Sequence, residues 1–259
     1  MIDAAGARIL VDAGLSARQL CQRLAKLGID PASLDGILLS HEHSDHARGI
    51  DVLLRKYDIP VYATAMTKEV LLDRCGEHVE WRIFQRGQEF KIREMAVNSF
   101  AVPHDAVDPV GFVCASKRGE RIGVATDLGH VTSLVRESLR GVNGLFVEAN
   151  YDEQMLENDL KRPWSVKQRI SSRHGHLSNS QTAELVRSLI DDGLKSVILG
   201  HLSSDCNTAE VASRVVNEVH GGRLSLEVSS QKDPSGWMSV AKPRALAAGS
   251  TASEQGVLF

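Results

Sequence analysis

An α/β architecture is the fold class this sequence predicts, on three observations. Short apolar runs that read as strands alternate with segments whose apolar residues recur at helical spacing. A block of shorter β-runs interrupts that alternation from about residue 89, and helices return from about residue 132. With 259 residues, 42% of them hydrophobic, the chain can bury a full core. Alternation of this kind lays helices against the faces of sheets. It is read as one domain over 1–242 and a flexible tail over 243–259, rich in Ala, Ser, Gly and Thr.

Residues 8–11 form a short apolar strand ending at Asp12. Ser16 then offers an N-cap to a helix whose Leu20, Leu24 and Leu27 repeat at helical spacing until Gly28 stops it. A buried strand over 36–39 runs into a polar loop, followed by a helix over 51–57, a strand over 60–63 and a helix capped by Thr64 that runs to about Arg74. Shorter β-runs follow over 89–92, 95–102, 110–115 and 121–125, the last two joined as a hairpin by Lys117-Arg118-Gly119-Glu120. A helix over 132–140, a strand over 144–148, a helix over 181–191, a strand over 196–199 and a helix over 208–220 come next, with closing strands over 224–228 and 237–240.

The net charge of -3 leaves any nucleic-acid binding to a local basic surface. Cys21, Cys75, Cys114 and Cys206 are scattered without a paired spacing, which predicts reduced core thiols in a cytoplasmic protein. The first residues, Met-Ile-Asp-Ala-Ala-Gly, form no signal peptide, and no run approaches the ~20 apolar residues of a membrane span, so no membrane partner is expected.

The densest chemistry lies in Ser40-His41-Glu42-His43-Ser44-Asp45-His46, directly after the apolar run 36–39. In an extended segment alternate side chains point the same way, so His41 and His43 reach one metal ion together. Asp45 and His46 follow where the chain turns towards a helix and suit a second ion. A closed structural zinc site would recruit thiolates, and no cysteine lies nearby.

On this motif the sequence resembles the metallo-β-lactamase superfamily of metallohydrolases, which implies a four-layer αβ/βα sandwich and further ligands downstream. His104, Asp127 and His201 each follow a strand and answer that expectation. The resemblance implies that His41, His43 and His104 hold one divalent ion, and Asp45, His46 and His201 the other, with Asp127 bridging. Zn, Mn and Fe all suit these ligands. Asp12 matches an acid that supports the ligand loop in the family; a simple strand-end turn is the alternative.

Gly-His-Leu-Ser occurs at 175–178 and 200–203, and only the second copy follows a strand, so His201 is read as a ligand. His176 precedes Ser178, Asn179 and a helix, where backbone N–H groups favour an anion. In the phosphodiesterases that the chain resembles, a histidine in such a setting protonates the leaving oxygen, with Asp45 the second catalytic residue of this reading. A capping or packing role is the alternative for His176. Glu148 and Asn150 follow a strand and either orient His176 or shape a turn.

Lys161, Arg162, Lys167, Arg169 and Arg173 are basic within an interval, 160–183, that holds no acid, and Trp164 adds a stacking face. With Ser178 and Asn179 they form the expected nucleic-acid track; a merely solvated face is the alternative. Over nearly its whole length the chain resembles the compact YycJ (WalJ) group, described as 5'-to-3' DNA exonucleases. The motifs that carry this are Leu10 to Ser16, Val102 to Phe112, Ala125 to His130, Val147 to Asn150 and Arg173 to Asn179. That group usually opens with a further strand and a Ser-x-Gly-Ser-x-Gly-Asn loop. The chain starts after it, so the sandwich is expected to lack its usual first strand.

Gln255-Gly256-Val257-Leu258-Phe259 resembles the peptide with which bacterial repair proteins dock on the DNA sliding clamp, through Gln255, Leu258 and Phe259. The function expected is therefore a dinuclear phosphodiesterase, a 5'-to-3' exonuclease acting on DNA in repair. Hydrolysis of a small thioester, lactone or lactam on the same site is the rival, and a metal-stabilised, non-enzymatic clamp partner is a third reading.

Overall fold

Two sheets packed face to face, each backed by helices, make up the computed structural model, which describes residues 1–240 and the backbone of 256–257. The first half contains β1 (Ile2–Ala4), β2 (Ala7–Val11), α1 (Ala17–Lys26), β3 (Gly36–Leu38), α2 (Ser44–Ala47), α3 (Ile50–Leu54), β4 (Val61–Ala63), α4 (Ala65–Leu71) and β5 (Trp81–Ile83). The second half contains β6 (Phe90–Ile92), β7 (Met95–Ala101), β8 (Val110–Ala115), β9 (Arg121–Ala125), α5 (Ser133–Leu139), β10 (Gly144–Glu148), α6 (Glu153–Asn158), α7 (Trp164–Ile170), α8 (Asn179–Ile190), β11 (Ser196–Gly200), α9 (Ala209–His220) and β12 (Ser225–Val228). Gly256–Val257 forms β13.

The sheet orders are β13-β1-β2-β3-β4-β5 and β12-β11-β10-β9-β8-β7-β6. Alternation along each strand sends its side chains to two different cores. Ile9 and Leu38 face the layer between the sheets, with Met95, Phe112, Ile122 and Val124 opposite. Their neighbours Leu10 and Ile37 face the helices of the first half. Ala125, Leu145 and Val147 pack under α5, α8 and α9. The helix–sheet–sheet–helix order is the four-layer sandwich that the sequence predicts.

The local signals mostly hold. Ser16 caps α1 in a capping box with Gln19, and the 117–120 turn joins β8 to β9 with Gly119 at φ +89°. Six short elements were not legible: β1, α2, β5, α6, α7 and β13. The segment 237–240 is a correction, because Met238 makes only an isolated bridge there and Val240 packs as a plug against Gly144. Pro234 and Gly236 precede it and interrupt a ladder. The edge of β1 is paired, Ile2 with Val257 and Asp3 with Gly256. The tail expected over 243–259 otherwise lies outside the described residues, as do Gln255, Leu258 and Phe259 of the clamp-like peptide.

Candidate metal centre and its cleft

The carboxyl ends of β2, β3, β7, β9, β10 and β11 deliver polar residues to one rim shared by the two sheets. Asp12, Asp127 and His201 follow β2, β9 and β11 in left-handed backbone, with φ of 62°, 56° and 55°. Only two other non-glycine residues, Ala5 and Arg93, have positive φ among the described residues. Strain of about 1 kcal/mol at each such position concentrates where the side chains must turn back into the rim. The loop after β2 also seats the ligand loop. Ala13 N–H donates to His46 C=O at 2.7 Å, and a Cβ on Gly14 would stand 1.3 Å from the Asp45 carbonyl oxygen, so only glycine fits.

Among the described residues five overlapping groups of donors result, and two of them are the expected sets, His41, His43 and His104, and Asp45, His46 and His201; His176 joins two others, with His104 and Asp127 and with Glu148 and His201. Asp127 lies between the two expected sets: its Oδ2 is 3.1 Å from His46 Nε2, and its Oδ1 is 3.6 Å from both His104 Nε2 and His201 Nε2. His41 Nε2 and His43 Nδ1 are 3.1 Å apart, and Asp45 Oδ2 is 3.5 Å from His46 Nε2 and 3.8 Å from His201 Nε2. Donors that share one ion at bonds of about 2.1 Å stand about 3.4 Å apart in a tetrahedron. The spacings fit that requirement, and the donor set is nitrogen and oxygen without thiolate. His46 Nε2 and Asp127 Oδ2 are buried with no hydrogen-bond partner, as expected of atoms shaped to meet a cation.

The far nitrogen of His41, His46, His104 and His201 is held. Asp12 takes His46 Nδ1 at 2.7 Å while accepting from Ser40 N–H at 2.7 Å and Ser40 Oγ at 2.8 Å. Ser40 Oγ contacts His41 Nδ1 at 2.9 Å, and the Gly175 carbonyl lies 3.1 Å from His104 Nδ1. Glu148 Oε2 holds His201 Nδ1 at 3.2 Å and His176 Nδ1 at 3.1 Å. Its Oε1 accepts Leu128 N–H and, at 3.2 Å, Leu177 N–H, so this fully buried carboxylate is saturated. Such partners fix tautomer and ring orientation. Asp12 and Glu148 thus meet their histidines at Nδ1, and Asn150 bonds to His201 rather than His176, donating to its carbonyl at 2.8 Å. Ser40 and the Gly175 carbonyl were not singled out beforehand; the first was visible inside the motif, the second leaves no signal in sequence.

The charges are strongly coupled. Burial alone would discharge His46 and His201, yet Asp12 and Asp127 raise the first, and Asp127, Asp45 and Glu148 carry the second to about 10. Burial, reinforced by neighbouring His46, lowers His41 to about 3, and burial also lowers His104. Despite its burial, Asp127 is held well below the usual carboxylate range by His201, His46 and His41.

A cleft of about 320 Å³ opens onto the centre, with His176 on its wall and Val166, Arg169 and Ile170 of α7 lining one side. The basic residues of 160–183 do not form one track. Lys161 and Arg162 are paired with Asp205, and Arg162 also with Asp159. Lys167 Nζ donates to the Glu157 carbonyl at 2.7 Å, and Arg173 Nη2 contacts His130 at 3.1 Å. Trp164 is 69% exposed, but helical spacing turns it away from Val166 and Arg169, and it does not line the cleft. Ser178 and Asn179 are corrections. Ser178 caps α8 in a capping box with Gln181, and Asn179 pairs with Asn207 in the interior. At 1% and 0% exposure neither reaches a nucleic acid. A second, largely apolar cavity of about 380 Å³, lined by Leu10, Leu15, Leu20, Leu24 and Phe146, meets Asp45, His46 and His201 from another side.

Residues 7–202 match the family described as the Beta-lactamase superfamily domain. The chain is 38% identical to Exodeoxyribonuclease YycJ of Bacillus anthracis over 82% of this chain and 80% of that one. It is 35% identical to Exodeoxyribonuclease WalJ of Streptococcus pneumoniae over 85% and 83%. Among solved structures, the metallo-β-lactamase fold protein YhfI of Bacillus subtilis superposes with a TM-score of 0.65 at 16% identity, covering 97% of this chain and 86% of that one. Zn(2+)-bound PqqB of Methylobacterium extorquens superposes with a TM-score of 0.66 at 18% identity, covering 88% and 83%. At these identities the two structures speak for the fold alone. The chain belongs to the β-lactamase superfamily, whose metallo-β-lactamase fold implies divalent metal ions.

Proposed function

We propose that this member of the β-lactamase superfamily is a metal-dependent phosphodiesterase that degrades DNA from the 5' end in DNA repair. The observation that carries the reading is the likeness to two exodeoxyribonucleases across four-fifths of the chain. The donor geometry supports a dinuclear centre, with His41, His43 and His104 holding one ion, Asp45, His46 and His201 the other, and Asp127 between them. Two divalent ions, Zn, Mn or Fe, supply an activated water and neutralise charge on the phosphoryl group.

The chain's own residues do the rest. Asp12 holds His46 and Glu148 holds His201 by Nδ1, which aims Nε2 of both at the centre. Glu148 also takes Nδ1 of His176, leaving Nε2 to face the cleft and hand a proton to the departing oxygen. Residues 1–242 form the catalytic unit. The four free cysteines suit a reducing cytoplasm, and Gln255, Leu258 and Phe259 are proposed to dock on a sliding clamp.

The test is nuclease activity of the Mn- or Zn-loaded protein on end-labelled double-stranded DNA beside Asp45→Ala. Stepwise loss from the 5' end that vanishes in the variant is the expected result. The absence of any cleavage by metal-loaded protein sinks the reading. The apolar cavity beside Asp45, His46 and His201 favours a second reading, hydrolysis of a small thioester, lactone or lactam, which such esters test directly. Deleting 255–259 is expected to abolish clamp capture in a pull-down; unchanged capture refutes the docking role.

A further inference from the structure

The wall that α7 contributes to the cleft is an unusual use of a helix. None of its residues is fully buried, and only Ile170 packs inward, against the small cluster of Tyr151, Leu156 and Cys206, yet its position is fixed. His176 N–H donates to the Ile170 carbonyl at 2.9 Å. A Cβ on Gly175 would stand 2.1 Å from that carbonyl oxygen and 2.3 Å from that of Arg169. The end of α7 is therefore locked to the turn that carries His176.

The cleft carries three carboxylates, Asp45, Asp105 and Asp127, and Arg169 is the one lysine or arginine in its lining among the described residues. A polyanion approaching such a cleft beside its metal ions is repelled by Asp105 unless a cation faces it. The other basic residues of 160–183 are absent from the lining. Arg169 is also poorly matched where it stands. Its Nε and Nη2 both donate to the same oxygen, Asp105 Oδ2, at 2.6 Å, while Asp105 Oδ1 lies 3.3 Å from His104 Nε2. A guanidinium fork is complementary to two oxygens, as a phosphate presents them. The pair is partly exposed, at 69% for Arg169 and 31% for Asp105, and an exposed ion pair opens readily. Asp105 is itself tethered to the same turn, its N–H donating to the His174 carbonyl at 3.1 Å.

We propose that Arg169 grips a phosphate of the polynucleotide next to the one being cleaved, and that Asp105 is the intramolecular stand-in which this phosphate displaces. The inference rests on the phosphodiesterase reading and deepens it: α7 selects a strand with a neighbouring phosphate over a small ester. The two members of one ion pair then act in opposite directions. Arg169 promotes binding, and Asp105 competes with the ligand for Arg169.

The experiment measures binding of a fluorescent single-stranded DNA 20-mer to the full-length, metal-loaded His176→Ala protein, which keeps every proposed metal ligand, across a salt series. Arg169→Ala is expected to weaken binding about 10-fold and to flatten the log–log salt slope by about 0.7. Asp105→Asn is expected to tighten binding several-fold, and that gain is expected to vanish when Arg169→Ala is also present. Arg169→Lys, which keeps charge without the fork, is expected to fall between. Metal content and thermal midpoint are followed in each variant, because a strap that merely holds the arm predicts weakened binding from both single changes. Equal weakening by both, an unchanged Arg169→Ala, or a gain from Asp105→Asn that survives without Arg169 each overturn the proposal. If the His176→Ala parent binds no DNA while metal-loaded wild type hydrolyses bis(p-nitrophenyl) phosphate, the polynucleotide reading falls and this proposal with it. If the parent binds and Arg169→Ala binds equally, the proposal alone falls.

Discussion

The two halves of the sandwich build the centre in opposite ways. The first half concentrates His41, His43, Asp45 and His46 in one stretch after β3, the last two in α2, braced by Asp12 at the end of the neighbouring β2. The second half sends His104, Asp127, His176 and His201 from four separate segments, and ties the last two through one buried carboxylate, Glu148. A contiguous loop shares a single support, whereas dispersed ligands depend on strand register and on local strain at Asp127 and His201. The first half is expected to fail as a unit and the second residue by residue.

The largest test of that contrast is Gly14→Ala. Its Cβ has no room beside the Asp45 carbonyl, so the whole loop must move; we expect a loss on the order of 3 kcal/mol by chemical denaturation together with loss of both metal equivalents. The counterpart in the second half is Gly129→Ala, where the clash is 2.3 Å from the Arg173 carbonyl oxygen. It is expected to disturb the turn before His176, lowering turnover while metal content holds. Metal loss in the second variant as complete as in the first would erase the distinction.

Orienting acids sharpen it next. Asp12→Asn is expected to lower affinity for one metal equivalent about 10- to 100-fold in a chelator competition, through His46. Glu148→Gln is expected to do as much through His201 and to reduce turnover of fully loaded enzyme further, because it also frees His176. Identical kcat in the two loaded variants would show that Glu148 does nothing for His176.

A pH effect follows from one histidine in each half. His46 and His201 have raised pKa values in the metal-free protein and so carry protons at pH 7, whereas an ion needs them neutral. Metal uptake at neutral pH is therefore expected to release protons, and affinity to fall as pH drops, with no release from His41, already neutral above about 3. Calorimetry in buffers of different ionisation enthalpy reads the protons directly; zero release would show that neither histidine is charged.

The smallest contrast concerns helix caps. Ser16→Ala and Ser178→Ala each remove a capping box and are expected to cost about 1 kcal/mol in thermal or denaturant melts. Only the second, two residues from His176, is expected to alter activity.

Legibility in the sequence divides along the same line. The ligand loop could be read because its donors are adjacent and alternate in an extended segment. His104, Asp127 and His201 were readable as strand-end residues, since β7, β9 and β11 are rich in apolar residues that mark them as strands. α7 was not, because a helix with no buried residue leaves no apolar stripe to detect. β5, three residues with Arg82 and Ile83 exposed, is equally silent.

The basic interval shows where reading along the chain stops. It holds no acid, but Asp105 and Asp205 arrive from other loops and Asp159 from just outside it, and together they engage three of its five cations. Ser178 and Asn179 looked like an anion site by position alone and proved to be interior. The α/β class, the donor inventory and the strand ends that present it can be read along the chain, because they depend on periodicity and on residues a few positions apart. Which nitrogen a histidine presents, whether a carboxylate, a hydroxyl or a carbonyl holds its ring, and which cation faces the cleft appear only in three dimensions. Those are settled by side chains that meet across the two sheets, at separations no local pattern encodes.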